Sequence, residues 1–229
     1  MALDRYEWLG RLAAAVPEDA LVMSTYIGAV SFEWAHLTKE HPRTAHLGQM
    51  GDVVGLALGL ALALPHRKVV CLDGDGSVLL ELGQLVALGQ EAPDNLVVFV
   101  VDNAAYESIG SGEKGPRPTA TARTADLAGL AAAAGVPYTA TVDTIERLEE
   151  EIRLAFNEPG CRFINVRTEP GPAKVPPRQS DGFEDKYRFV RYVEGVEGIQ
   201  ILHLARQDRQ LMADDHERAG AIPSRPPAG

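Results

Sequence analysis

Two short polar clusters, Gly74-Asp75-Gly76-Ser77 and Asp102-Asn103, hold the oxygen atoms and the backbone freedom of a diphosphate and metal site. The Asp75 carboxylate and the Asn103 amide oxygen are hard ligands of the type Mg²⁺ or Ca²⁺ prefers, and Mg²⁺ usually completes its octahedron with phosphate oxygens and water. Gly74 and Gly76 let the backbone turn tightly and approach a phosphate, while Ser77 stands at the start of a helix whose free N–H groups favour an anion. Alone, Gly-Asp-Gly is a common turn.

Each cluster ends an apolar run, at 69–72 and 96–101, and a helical stretch at 79–90 separates the runs. Short Val- and Leu-rich runs alternating with helices are the βαβ pattern of a buried parallel sheet. Both clusters therefore fall at carboxyl ends of strands, where open α/β sheets bind ligands. Further helices are expected at 3–15, 53–64, 124–134 and 145–156, and further strands at 20–23, 137–142 and 162–166. The glutamates at 146, 149, 150 and 151 read as a solvated helix face. The expected fold class is α/β, a doubly wound parallel sheet with helices on both faces, occupying residues 1–169. Residues 170–229 are expected to be a linker rich in proline (Pro170, Pro172, Pro176, Pro177) and a C-terminal extension whose end has a disordered composition.

The order Gly-Asp-Gly, one helix, one strand, then Asn103 resembles the thiamine diphosphate signature in the cofactor-anchoring domain of thiamine-dependent enzymes. The resemblance implies that Asp75, Asn103 and the main-chain carbonyl of Ala105 bind Mg²⁺, with Gly74, Gly76 and Ser77 at the diphosphate. The segment Leu47-Gly48-Gln49-Met50-Gly51-Asp52 resembles the one that holds the aminopyrimidine end of the cofactor. It implies that the Gly48 carbonyl accepts from the exocyclic amine, with Gln49 beside it, and that Met50 wedges under the cofactor to bend it. By residue type alone Met50 is core filling. Gly28, Ser31 and Glu33 match a Gly-x-x-Ser-x-Glu stretch that helps seat the diphosphate in sulfopyruvate- and phosphonopyruvate-type decarboxylases. Hydroxyls at a helix start are otherwise N-caps. The run from Asn103 to Gly110 is similar to the family's Asn-Gly-x-Tyr-x-Ser-Thr-Gly segment, which puts Tyr106 at the cofactor and Ile109 in place of Thr. His46 is a candidate for proton transfer, with a structural histidine as the alternative. Ser108, Ser111, Lys114 and Arg117 are candidate substrate readers, or part of a solvated loop.

At 229 residues and 45% apolar content the chain can bury one substantial core. A net charge of −10 argues against nucleic acid or an anionic membrane as the main partner. With neither a span of membrane length nor a signal-peptide pattern, the expected location is cytoplasmic. The resemblance implies a subunit of a thiamine diphosphate- and Mg²⁺-dependent decarboxylase of small 2-oxo acids. In that family the glutamate that protonates the pyrimidine comes from a second domain. None is found here, so a separate pyrimidine-binding subunit is expected to carry the catalytic Glu, in an α2β2 or higher assembly. Two alternatives stand beside this reading. One is the β subunit of a 2-oxoacid:ferredoxin oxidoreductase, against which two distant cysteines, Cys71 and Cys161, speak. The other is a non-catalytic cofactor-domain partner protein.

Overall fold

The computed structural model describes residues 2–26, 28–47, 49–107, 115–179 and 181–202. It divides into two units, Met1–Phe189 and Val190–Gly229. In the first, β1 (Leu21–Ser24), β2 (Thr44–His46), β3 (Val69–Gly74), β4 (Leu96–Asp102), β7 (Tyr138–Val142) and β8 (Arg162–Arg167) form a six-stranded sheet. Its order is β2-β1-β3-β4-β8-β7, and every pairing is parallel. The chain leaves β1 for β2 on one side and returns to β3 on the other, so strand order reverses at β1 and β3, the place where such sheets open a ligand crevice. Between β4 and β7, β5 (Ala105–Tyr106) and β6 (Arg117–Pro118) form a small antiparallel pair.

The strands read as continuous apolar runs because both faces are covered. On one face Val22, Val70, Leu72, Phe99, Val101 and Ile164 meet α1 (Arg5–Ala15), α2 (Ala29–Thr38) and α7 (Ile145–Asn157). The alternate positions, among them Cys71, Val98, Val100 and Phe163, are equally buried. On the other side of the sheet α3 (Val53–Ala63) packs on α5 (Gly83–Glu91), which packs on α6 (Leu127–Ala133). Trp8 and Trp34 are fully buried, and their indole N–H groups donate to Thr168 and Thr44 at 3.2 Å each. The second of these bonds anchors β2, a strand too short to announce itself by alternation.

The single helix expected at 79–90 is two. The short α4 (Asp75–Leu80) starts directly after β3, whose last residue Gly74 is its N-cap, is capped at Glu81, and the chain restarts as α5 at Gly83. Asp75 therefore opens a helix instead of preceding one. Glu151 departs from the solvated face expected of it, being 5% exposed beside Arg147.

The segment 170–179 lies within the first unit and is tied to it by backbone bonds, Gly171 N–H to Glu107 at 2.6 Å and Ala173 N–H to Glu33 at 2.8 Å. The helix α8 (Gly182–Glu197) begins in the first unit. In the second, the Glu194 carboxylate accepts from the N–H groups of Ile201 and Leu202. Among the described residues no helix is long and apolar enough to cross a membrane.

Candidate functional site

A cleft of about 710 Å³ opens at the carboxyl ends of β1, β3 and β4. Gly74, Asp75, Gly76 and Ser77 line it from β3 and α4, and Asn103, Ala105 and Tyr106 from the turn after β4. Gly28 and Met50 complete the set of expected residues gathered there. Others lie apart. Gln49 is exposed, with its N–H on Asp52 at 3.3 Å, and Ser31 is buried, its hydroxyl donating to the carbonyls of Tyr26 and Gly28 at 3.0 Å. His46 is 3% exposed and does not reach the cleft. Burial, with the Arg178 charge adding to it, pushes its imidazole down to about 3, so it is neutral at ordinary pH. Gly48, Ser108, Ser111 and Lys114 lie outside the described residues, and Arg117 is exposed on β6 and does not line the cleft.

Asp75 is 2% exposed, and its Oδ2 accepts from the hydroxyls of Thr119 at 2.6 Å and Thr121 at 2.8 Å. Burial pushes its carboxyl up to about 6 against those two bonds, and the Asp102 charge adds to the shift. Asp73, fully buried, accepts from the Gly74 N–H and from the Ser77 hydroxyl at 2.9 Å, and burial pushes it up to about 7. Ser77 in turn accepts from the Gly51 N–H at 2.8 Å, so its side chain ties α4 to the loop carrying Met50. Asp102 takes the Asn165 amide at 2.9 Å, and Asn103 Oδ1 takes the Ala105 N–H at 3.1 Å, which leaves that amide oxygen a second lone pair.

These features fit a hydrated divalent cation with a diphosphate. Among the described residues no three His, Cys, Asp or Glu side chains are placed to hold a metal by themselves. One carboxylate, one amide oxygen and one carbonyl would leave the remaining positions to phosphate oxygens and water, as Mg²⁺ prefers. Space for the anion is present: a Cβ at Gly74 or at Gly28 (φ 93°) would meet nothing within 4 Å. Carboxylates held above their usual range by burial also favour a cation, whose charge offsets their desolvation.

Residues 26–166 match the model of the thiamine pyrophosphate enzyme C-terminal TPP binding domain. The chain belongs to this family. The chain is also similar to curated relatives of two lengths. The sulfopyruvate decarboxylase subunit beta of Methanocaldococcus jannaschii is 31% identical over 190 residues, 83% of this chain and 97% of that protein. The phosphonopyruvate decarboxylase of Streptomyces viridochromogenes is 37% identical over 163 residues, 71% of this chain but 39% of that one. Among solved structures, the thiamine diphosphate-dependent 4-hydroxybenzoylformate decarboxylase of Rhodococcus jostii shares the fold, with a TM-score of 0.58 at 22% identity over 75% of this chain and 34% of its own.

Several site residues escaped the sequence. Arg5 lines the cleft though 3% exposed, its Nε on Glu33 at 2.8 Å and Nη1 on Glu107 at 2.9 Å. Burial alone would lower its pKa, and the two carboxylates more than offset this and hold it above its ordinary value. No local pattern marks Arg5, Thr119 or Thr121. Asp73 did carry a signal, a charge directly at the end of a buried apolar run.

Proposed function

We propose that this chain is the cofactor-anchoring subunit of a cytoplasmic thiamine diphosphate- and Mg²⁺-dependent decarboxylase acting on small 2-oxo acids of the sulfopyruvate or phosphonopyruvate kind. The observation that carries this reading is the convergence of Asp75, Asn103, Ala105 and Met50 on one cleft at the sheet's switch point. Relatives of matching length named as beta subunits support it.

In this reading Asp75, Asn103 and the Ala105 carbonyl hold Mg²⁺, and Gly28 and Gly74 give the diphosphate room at the backbone. Met50, on the cleft wall, would wedge under the cofactor and bend it. The bound thiamine diphosphate supplies a thiazolium that stores the electron pair released with carbon dioxide. This chain's part is to anchor, orient and exclude water.

Glu107 is the only glutamate lining the cleft among the described residues, and both its oxygens are taken, by Arg5 and by the Gly171 N–H. That supports a catalytic glutamate supplied by a separate pyrimidine-binding subunit, in an α2β2 or higher assembly. The test is carbon dioxide release from sulfopyruvate, phosphonopyruvate and pyruvate, measured with this chain alone and together with such a partner. Turnover is expected only with both; robust turnover by the isolated chain would overturn the two-subunit reading.

A further inference from the structure

Thr119 touches both halves of the candidate metal site. Its hydroxyl donates to Asp75 Oδ2 at 2.6 Å, and its backbone N–H donates to the Ala104 carbonyl at 3.1 Å. Ala104 lies between Asn103 and Ala105, in the left-handed conformation at φ 57°. Thr119 follows the β5–β6 pair directly and is 4% exposed, so neither bond competes with bulk water. Thr121 adds its hydroxyl to the same Oδ2 at 2.8 Å. A buried carboxylate oxygen that accepts two such bonds is held in one orientation, and Oδ1 is left clear of both threonines.

Besides this bridge the two halves are joined through the sheet and by the Tyr106 ring packed against Gly76. Asp75 begins a helix after β3, whereas Asn103 and Ala105 belong to a turn after β4. A shift of either by a fraction of an ångström would spoil octahedral geometry, which Mg²⁺ enforces more strictly than larger cations do.

We propose that Thr119 is the positioning residue that fixes the Asp75 carboxylate relative to the Asn103–Ala105 turn, so that a divalent cation meets oxygen donors already in place. This rests on the thiamine diphosphate reading above and adds a residue to it. Thr119 does not contact the metal; it acts through Asp75 and through Ala104.

Thr119→Val keeps the shape and the backbone N–H but removes the hydroxyl, and Thr119→Ser keeps the hydroxyl. Calorimetric titration of Mg²⁺ into the full chain with thiamine diphosphate in excess reads the effect without any turnover, and far-ultraviolet circular dichroism melts read the fold. Thr119→Val is expected to weaken metal binding on the order of 10–100-fold, the usual cost of losing a hydrogen bond behind a metal ligand. Thr119→Ser is expected to restore most of the loss. Wild-type affinity in Thr119→Val, or an equal loss in Thr119→Ser, would overturn the inference while leaving the cofactor reading intact. Failure of the wild-type chain to bind Mg²⁺ with thiamine diphosphate would overturn both. Should Thr119→Val not fold, Thr119→Ala is titrated in its place, with the same two outcomes.

Discussion

The ring of Tyr106 occupies the space that a side chain at Gly76 would need. A Cβ there would stand 2.4 Å from Cε1 and 2.7 Å from Cδ1. Gly76→Ala is therefore expected to displace the ring and to cost about 1–3 kcal/mol of stability, as overpacking does. Cofactor affinity should fall with it, because Tyr106 also lines the cleft. Urea unfolding and calorimetry check both effects, and the double variant Gly76→Ala, Tyr106→Ala should regain stability without regaining affinity.

Arg5→Met would strand Glu33, which is fully buried, and would remove one partner of Glu107. Removing one member of a buried ion pair typically costs about 3–5 kcal/mol, far more than an exposed pair is worth. Denaturant titration should show that loss, and adding Glu33→Leu should recover a large part of it, because the stranded charge is then gone.

Asp75 and Asp73 ionise later in the folded chain than in an unfolded one, at about 6 and about 7 against an ordinary 3.8. Their contribution to the stability of the cation-free protein is thus complete below about pH 4 and is lost as the pH rises through those values. Thermal melts without metal should show this loss, and Asp75→Asn should remove its own share. Conversely, if Asp75 holds Mg²⁺ as proposed it must be ionised to do so, and metal-dependent binding of thiamine diphosphate should then weaken as the pH falls below about 6. Binding that is unchanged between pH 5 and pH 8 would speak against Asp75 as a ligand.

Ala104 occupies the left-handed region at φ 57°, at the position where the family's Asn-Gly-x-Tyr pattern has glycine. A side chain in that region costs about 1–2 kcal/mol, and replacing alanine by glycine gives back part of the gain through the unfolded chain's entropy. Ala104→Gly should therefore stabilise the protein by about 0.5–1 kcal/mol, read as a raised melting temperature. A lowered melting temperature would mean that the alanine methyl packs favourably enough to outweigh the strain.

Met50 is half-buried at the cleft wall. If Met50 bends the cofactor as proposed, Met50→Ala should lower turnover of the complete enzyme well beyond its effect on cofactor affinity, since the proposed diphosphate contacts are untouched while the reacting groups lose their alignment. Equal turnover in the two proteins would reduce Met50 to core filling.

Much of the sheet was legible because its strands are buried on both faces and stand out as Val- and Leu-rich runs. The Gly-Asp-Gly turn and Asn103 were legible because their chemistry is local. What was hidden depends on long-range pairing. Arg5 finds its carboxylates 28 and 102 residues away, and Thr119 finds Asp75 at a separation of 44. The strand β2 was missed because it has three residues and leans on Trp34 through Thr44. His46 was singled out by residue type, yet the parallel pairing of β1 with β2 puts it beside Ser24 in the interior.

Gly171 and Ala173 supply N–H groups to Glu107 and Glu33, and the Gly171 carbonyl receives Arg5 at 3.2 Å. The functional boundary of the fold therefore lies beyond its last strand. A polypeptide ended at Glu169 would keep all six sheet strands and both turns of the candidate metal site, yet it would open the charged triad of Arg5, Glu33 and Glu107 to water next to the cleft. Anyone transplanting this cofactor cradle onto another scaffold would have to carry those few residues with it.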